Sequence, residues 1–179
     1  MKKIRRADRL LDDAQALEII DRADYAVVSC NDDVGGIFSI PLSIARNNRS
    51  IYIHGARSGS KQRLYLDGRV LKIVCVSENK TPELSDDDFL AISDNPHALA
   101  NRIFTTKYES TICTAKAYLV EDIAEKRLGL KLLCEKYCKK YMSAFAITAD
   151  EYINKMNIWR FDIVEMMAKS NKDSRANSK

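Results

Sequence analysis

Three runs of β-branched and aromatic residues, YAVVSC at 25–30, IFSIPLSIA at 37–45 and SIYIHG at 50–55, lie so close together that they limit the possible folds more than any other feature. The breaks between them, NDDVGG and RNNR, hold only six and four residues. A parallel pair needs a crossover of a dozen residues or more, so these runs read as consecutive antiparallel strands. The chain therefore begins its sheet as a meander.

The remaining pattern extends that sheet. Residues 12–23 place Ala16, Leu17, Ile19, Ile20 and Ala23 at helical spacing, with Asp12 or Asp13 available as a cap. After the third strand, KQRLYLDG allows two helical turns before RVLKIVCVS at 69–77 resumes a strand. Residues 78–104 mix Pro, Ser and an acidic run and read as a long connection with a helical turn or two. A long strand is expected at 105–122, the clearest amphipathic helix at IAEKRLGLKLLCEKYC, a short helix through ADEYINKM and a closing strand at 157–167. Six strands in this order favour a mainly β, α+β fold, an antiparallel barrel with flanking helices, over a doubly wound sheet. At 179 residues, one hydrophobic core suffices, so we expect one domain over 1–168 and a disordered polar tail at 169–179.

Charge and cysteine usage narrow the setting. The chain carries a net +4, but residues 1–9 hold +4 and residues 169–179 hold +3, which leaves the body at −3. Basic ends on an acidic body do not describe a nucleic-acid-binding face. The start MKKIRRADRLLDD lacks the apolar stretch of a signal peptide, and no segment has the length of a membrane span. Cys30, Cys75, Cys113, Cys134 and Cys138 form an odd set without C-x-x-C, read as buried thiols in a reducing cytoplasm. Neither Cys134 with Cys138, nor the two histidines, nor Asp86, Asp87 and Asp88 has the spacing of a metal site.

The segment YIHGARSGSKQR at 52–63 is the richest in chemistry, since a strand delivers a histidine, two glycines, hydroxyls and three cations into a tight loop before a helix. Gly55 and Gly59 let the backbone approach a ligand, Ser58 and Ser60 donate hydrogen bonds, Lys61 supplies charge, and the helix start has free N–H groups. That composition suits a phosphate and equally a solvated basic turn. The spacing is not that of a Walker A loop. His54 ends the strand beside the loop, and the alternation of Ile51 and Ile53 against Tyr52 and His54 leaves the buried face open. His97 reads as a surface residue, and no nucleophile motif occurs.

Four stretches in order, SIPLSIA at 39–45, SIYIHGARSGSKQRLYLDGRV at 50–70, FTTKYESTICTAKAYLVEDIAEKRLGLKLLCEKY at 104–137 and NIWRFDIVEM at 157–166, resemble the FMN-binding split barrels related to pyridoxamine 5′-phosphate oxidase, and within them the nitroimidazole-resistance group. The resemblance implies a split, Greek-key-like β-barrel of about six strands, working as a homodimer with FMN at the subunit interface. It implies that Ile53 and His54 run along the flavin and its phosphate tail, that Ser60 and Lys61 bind the phosphate, and that Pro41, Leu42 and Ser43 line the isoalloxazine ring. It places Tyr108 and Ser110 near the cofactor from across the dimer interface, and His54 close to cofactor and substrate as a catalytic group. The implied activity is reduction of a small electrophile, such as a nitroimidazole or other nitro-aromatic, with electrons from NAD(P)H or another donor. Alternatives on the same barrel are a flavin- or small-ligand-binding dimer without turnover, or a haem-handling or deazaflavin-using relative. The connection at 79–103 is longer than usual for the group and is expected to reshape or cover the substrate site.

Overall fold

The computed structural model describes residues 5–171. A short strand β1 (Leu10–Leu11) leads into helix α1 (Asp13–Arg22). The Asp12 carboxylate accepts from the Gln15 N–H at 2.8 Å, and the Gln15 side chain accepts from the Asp12 N–H at 3.1 Å. This reciprocal capping box fixes where the helix begins. Its apolar stripe of Ala16, Ile19 and Ile20 is fully buried.

In place of the expected three-strand meander stand two antiparallel pairs, β2 (Ala26–Asn31) with β3 (Ile37–Leu42) and β4 (Ala45–Asn47) with β5 (Ser50–Ala56). The run at 37–45, expected as one strand, is two: β3 pairs with β2, whereas β4 pairs with β5. The break falls at Ser43 and Ile44, where the Tyr137 hydroxyl accepts from the Ile44 N–H at 2.9 Å and donates to a main-chain carbonyl, with those of Asp24 and Ile44 both within reach. A side chain from far along the sequence thus satisfies the backbone where the chain changes partner. Next come α2 (Ser60–Leu64), β6 (Val70–Lys80), α3 (Asp86–Leu90), α4 (Pro96–Arg102) and β7 (Lys107–Leu119). The chain ends with α5 (Ile123–Tyr137), a 3₁₀ segment (Lys139–Ala144), α6 (Phe145–Tyr152) and β8 (Met156–Ser170).

All pairings are antiparallel, in the order β3-β2-β6-β7-β8-β5-β4, with β1 on the far end of β8. The two ends of this order, β3 and β4, are joined by only two residues, a link that spans roughly 10 Å at most. The sheet must therefore curl until its edges lie side by side, although they share no ladder. The result is a split barrel of α+β class, with eight strands among the described residues where six were expected.

Trp159, Phe161 and Tyr65 fill the barrel with Ile51, Ile53 and Ile73, and the Tyr65 ring meets Phe161 edge-on at 5.4 Å and Trp159 at 6.1 Å. Helix α1 packs across β6, β7 and β8. Helix α5 covers the outer face of β5, where Tyr52, Leu130, Ile153 and Ile158 form a second core. Gly129 permits that approach, because a Cβ there would lie 2.9 Å from the Tyr52 ring and 3.0 Å from Ile158.

Three further expectations are corrected. Helix α6 starts at Phe145 rather than near 149, and its start has no side-chain cap that the sequence could reveal. Strand β8 continues through Lys169 and Ser170, so the boundary at 168 is too early, while the tail at 172–179 lies outside the described residues. Cys30, Cys75 and Cys113 are buried as expected, but Cys134 is half-buried and Cys138 exposed. The connection at 79–103 carries α3 and α4 and buries no side chain. Among the described residues, no helix is long and apolar enough to cross a membrane.

Candidate functional site

Strand β5 settles which of its faces is buried, because both are. Ile51 and Ile53 point into the barrel, and Tyr52 lies beneath α5. His54 shares the Tyr52 face but sits beyond the helix cover, so its ring opens onto a cleft. From there the chain turns through Gly59, whose φ of +98° belongs to the region that favours glycine, and enters α2 with Lys61 in its first turn.

Lys61 folds back across Gly55. A Cβ on Gly55 would lie 2.6 Å from Lys61 Cε and 2.8 Å from its Nζ, so only glycine leaves room for this arrangement. The loop's three cations differ in their engagement. Arg57 donates to the Asn154 carbonyl at 3.0 Å, and Arg63 pairs with Asp33, whereas Lys61 has no ion pair with any described residue. Lys61 is the loop cation left available to an incoming anion.

Pro41, Leu42, Ser43, His54, Gly55 and Lys61 converge with Ala56 and Met156 on one cleft of about 390 Å³. The three β3–β4 residues come from one sheet edge and the others from β5, α2 and the start of β8. These are brought together because the barrel's open edge lies over the exit of β5. Burial against the cleft walls, and secondarily the Lys61 charge, pushes the His54 pKa down, so the ring is neutral near pH 7.

A second cavity of about 400 Å³ adjoins the first and shares Ser43, His54 and Met156 with it. Its other walls come from α5, the 3₁₀ segment and α6, among them Cys134, Tyr137, Tyr141, Phe145 and Tyr152. Burial pushes the Cys134 thiol pKa up, with Cys138 adding to the shift.

The remaining expected residues lie elsewhere. Ile53 is fully buried in the barrel core, so its side chain faces away from the cleft. Ser60 is exposed beside Lys61 and lines neither cavity. Tyr108 and Ser110 occupy the opposite end of the sheet: Ser110 pairs with Lys169 of β8, while His54 pairs with Ile158. Eleven residues of strand separate those two rungs, a contour of roughly 36 Å. One chain does not bring these two residues to the cleft. Met156 and the α5–α6 wall were not foreseen, since Met156 arrives only through its register with Ala56, a hundred residues away in sequence.

Among curated proteins, none matches the sequence. The fold is similar to a candidate 5-nitroimidazole antibiotic resistance protein from Bacteroides thetaiotaomicron, with a TM-score of 0.66 and 20% identity over 89% of this chain and 85% of that one. A flavocytochrome from Azotobacter vinelandii superimposes with a TM-score of 0.69 at 19% identity, over 95% of this chain and 72% of that one. An FAD- and haem-binding protein from Mycobacterium smegmatis gives a TM-score of 0.63 at 14% identity, covering 90% and 72%. At such identities these likenesses speak for the fold. The sequence profile of the pyridoxamine 5′-phosphate oxidase family matches residues 12–170, nearly the whole described chain, and the protein belongs to that family.

Proposed function

We propose that the protein is an FMN-binding oxidoreductase that reduces a small electrophile, such as a nitroimidazole or other nitro-aromatic, and that it works as a homodimer. The observation that carries this reading is the convergence of Pro41, Leu42, Ser43, His54 and Lys61 on one cleft, with the Lys61 ammonium unpaired among the described residues. A phosphate fits that position, because a lysine point charge beside a glycine backbone is a common phosphate anchor. Among the described residues strand β3 is an edge strand whose only ladder is with β2, so main-chain groups of its outer side can bond the polar rim of a flat ring. Two relatives named for flavin or haem share the fold.

Bound flavin supplies two-electron transfer between NAD(P)H, or another donor, and the acceptor. The chain's own contribution is position and charge. Lys61 Nζ holds the phosphate, the end of β3 and Ser43 orient the ring, and the neutral His54 imidazole offers one N–H and one acceptor where the two cavities meet. The neutral His54 ring can hold a substrate oxygen in place by donating its N–H as a hydrogen bond.

Support for the dimer lies on the outer face of the sheet. Register aligns Pro41, Val27, Val74, Ile112 and Met167 in one row across five strands, and Ile112 is 49% and Met167 38% exposed. Val76 and Val164 add to this uncovered apolar face. A second copy placed over it by a two-fold axis would bring its own Tyr108 and Ser110 towards the first copy's cleft, which begins at Pro41 of that row. Five free cysteines suit a reducing cytoplasm as the setting.

The test is to titrate the purified protein with FMN, then follow bleaching by NAD(P)H and reoxidation by a nitroimidazole. Lys61→Ala should lower FMN affinity roughly 10- to 150-fold, the loss of a charge-assisted bond. Wild-type protein that takes up no FMN overturns the reading. Flavin that binds without turnover would mark a non-catalytic flavin-binding dimer instead.

A further inference from the structure

The cavity behind His54 has a chemistry of its own. Its walls are aromatic rings from Tyr137, Tyr141, Phe145 and Tyr152 and sulfur from Cys134 and Met156, and among the described residues lining it there is no Asp, Glu, Lys or Arg. The polar end of Tyr137 is already committed to the backbone at Asp24 and Ile44, so the cavity receives its ring rather than its hydroxyl. Elevation of the Cys134 pKa and depression of the His54 pKa keep both groups neutral near pH 7, so the lining adds no charge from them. Its size, about 400 Å³, lies within the ordinary range for small-molecule sites. It shares Ser43, His54 and Met156 with the candidate flavin cleft.

We propose that this α5–α6 cavity is the acceptor site, and that it takes an uncharged, flat aromatic molecule of one or two rings and rejects charged analogues. The inference rests on the flavin reading above only for the word acceptor. Binding itself follows from the walls: rings and sulfur atoms give flat aromatic molecules favourable edge and face contacts, while a buried anion finds no counter-charge. The phosphorylated amine for which the family is named would meet no cation here.

Cys134 and Cys138 line the cavity and serve as reporters. The protein is alkylated with iodoacetamide, with and without FMN, and modification of each thiol is followed by mass spectrometry in the presence of 4-nitrobenzyl alcohol, 4-nitrobenzoate or 1-octanol. The neutral nitroarene should protect both thiols at a concentration at least about tenfold below that needed for 4-nitrobenzoate. It should also outperform the flexible octanol. Thr148 lines the cavity yet is exposed, so Thr148→Lys is expected to fold normally and to narrow or reverse the preference between the nitroarenes. Equal protection by the alcohol and the benzoate, protection by octanol alone, or no protection at all would overturn the inference. FMN uptake is read separately by flavin fluorescence. FMN binding without thiol protection rejects this cavity and spares the flavin site, whereas protection without FMN binding rejects the flavin site and spares the cavity.

Discussion

Strands β5 and β7 both run through the barrel wall, yet only β5 is covered on its two faces by its own chain. In β5, Ile51, Tyr52 and Ile53 are buried in succession because α5 lies over the outer face. In β7, burial alternates: Thr111, Cys113, Ala115 and Ala117 face inward, while Ile112 stands exposed on the outer side. The difference shows how the molecule uses its surfaces. Where the chain supplies its own cover, the cover stands off at one end and leaves a lined cavity beside His54. Where it supplies none, an apolar row remains exposed.

The sharpest way to break this contrast is to lift the cover. Gly129→Leu places atoms where even a Cβ would already touch the Tyr52 ring and Ile158, both of them buried. Overpacking of this kind should cost about 3 kcal/mol, read as a lower urea midpoint. An unchanged midpoint would mean that α5 does not dock on β5 as described. The matching change on the uncovered face is Ile112→Arg. It should leave urea stability of the monomer within about 0.5 kcal/mol but weaken self-association by about 2 kcal/mol, measured by sedimentation over a range of concentrations. Undiminished association would remove that face from the proposed dimer.

A smaller effect is expected at the polar clasp between α5 and the sheet. The Tyr52 hydroxyl donates to Glu125 at 2.9 Å, and Arg160 donates to the same carboxylate at 2.8 Å. Tyr52→Phe should cost about 1 kcal/mol, because Arg160 continues to satisfy Glu125. Burial, then the Glu125 hydrogen bond, pushes the Tyr52 pKa up to about 12. The folded state therefore keeps its proton above pH 10 when the unfolded chain has lost it, and stability falls as pH rises through that window. The phenylalanine variant should lose this part of the alkaline sensitivity, as urea midpoints at pH 9 and about 11 would show.

What the sequence revealed depended on how local the cause was. The antiparallel pairing of β2 with β3, a cap at the start of α1 and the existence of α5 are written in residues a few positions apart, and they were legible. The break at Ser43 and Ile44 was not, because Tyr137, more than ninety residues away, is what holds it. The same division holds at the site. The loop at 55–61 announced Lys61 through its composition, but that Arg57 and Arg63 are already engaged depends on Asn154 and Asp33, contacts made only on folding. Ile53 beside His54 could not be separated from the site by alternation, since the strand is buried on both faces. The α5–α6 cavity left no signal because α6 begins without a cap and its walls join only in three dimensions.

His54 stands at the seam between the covered and uncovered regions, so its titration measures how far the cover reaches. Two causes lower its pKa from the ordinary 6.5, burial first and the Lys61 charge second. The fold thus holds the ring neutral where the unfolded chain would accept a proton, and this contribution to stability declines as pH falls below 6.5. Lys61→Ala removes the second cause and leaves the first. The His54 pKa, followed by NMR through its ring protons, should rise part of the way towards 6.5 and stop short of it. A full return to 6.5 would mean that the α5–α6 wall shields the ring no better than open water does. No movement at all would place the Lys61 ammonium away from the cleft, and with it the phosphate anchor on which the flavin reading depends.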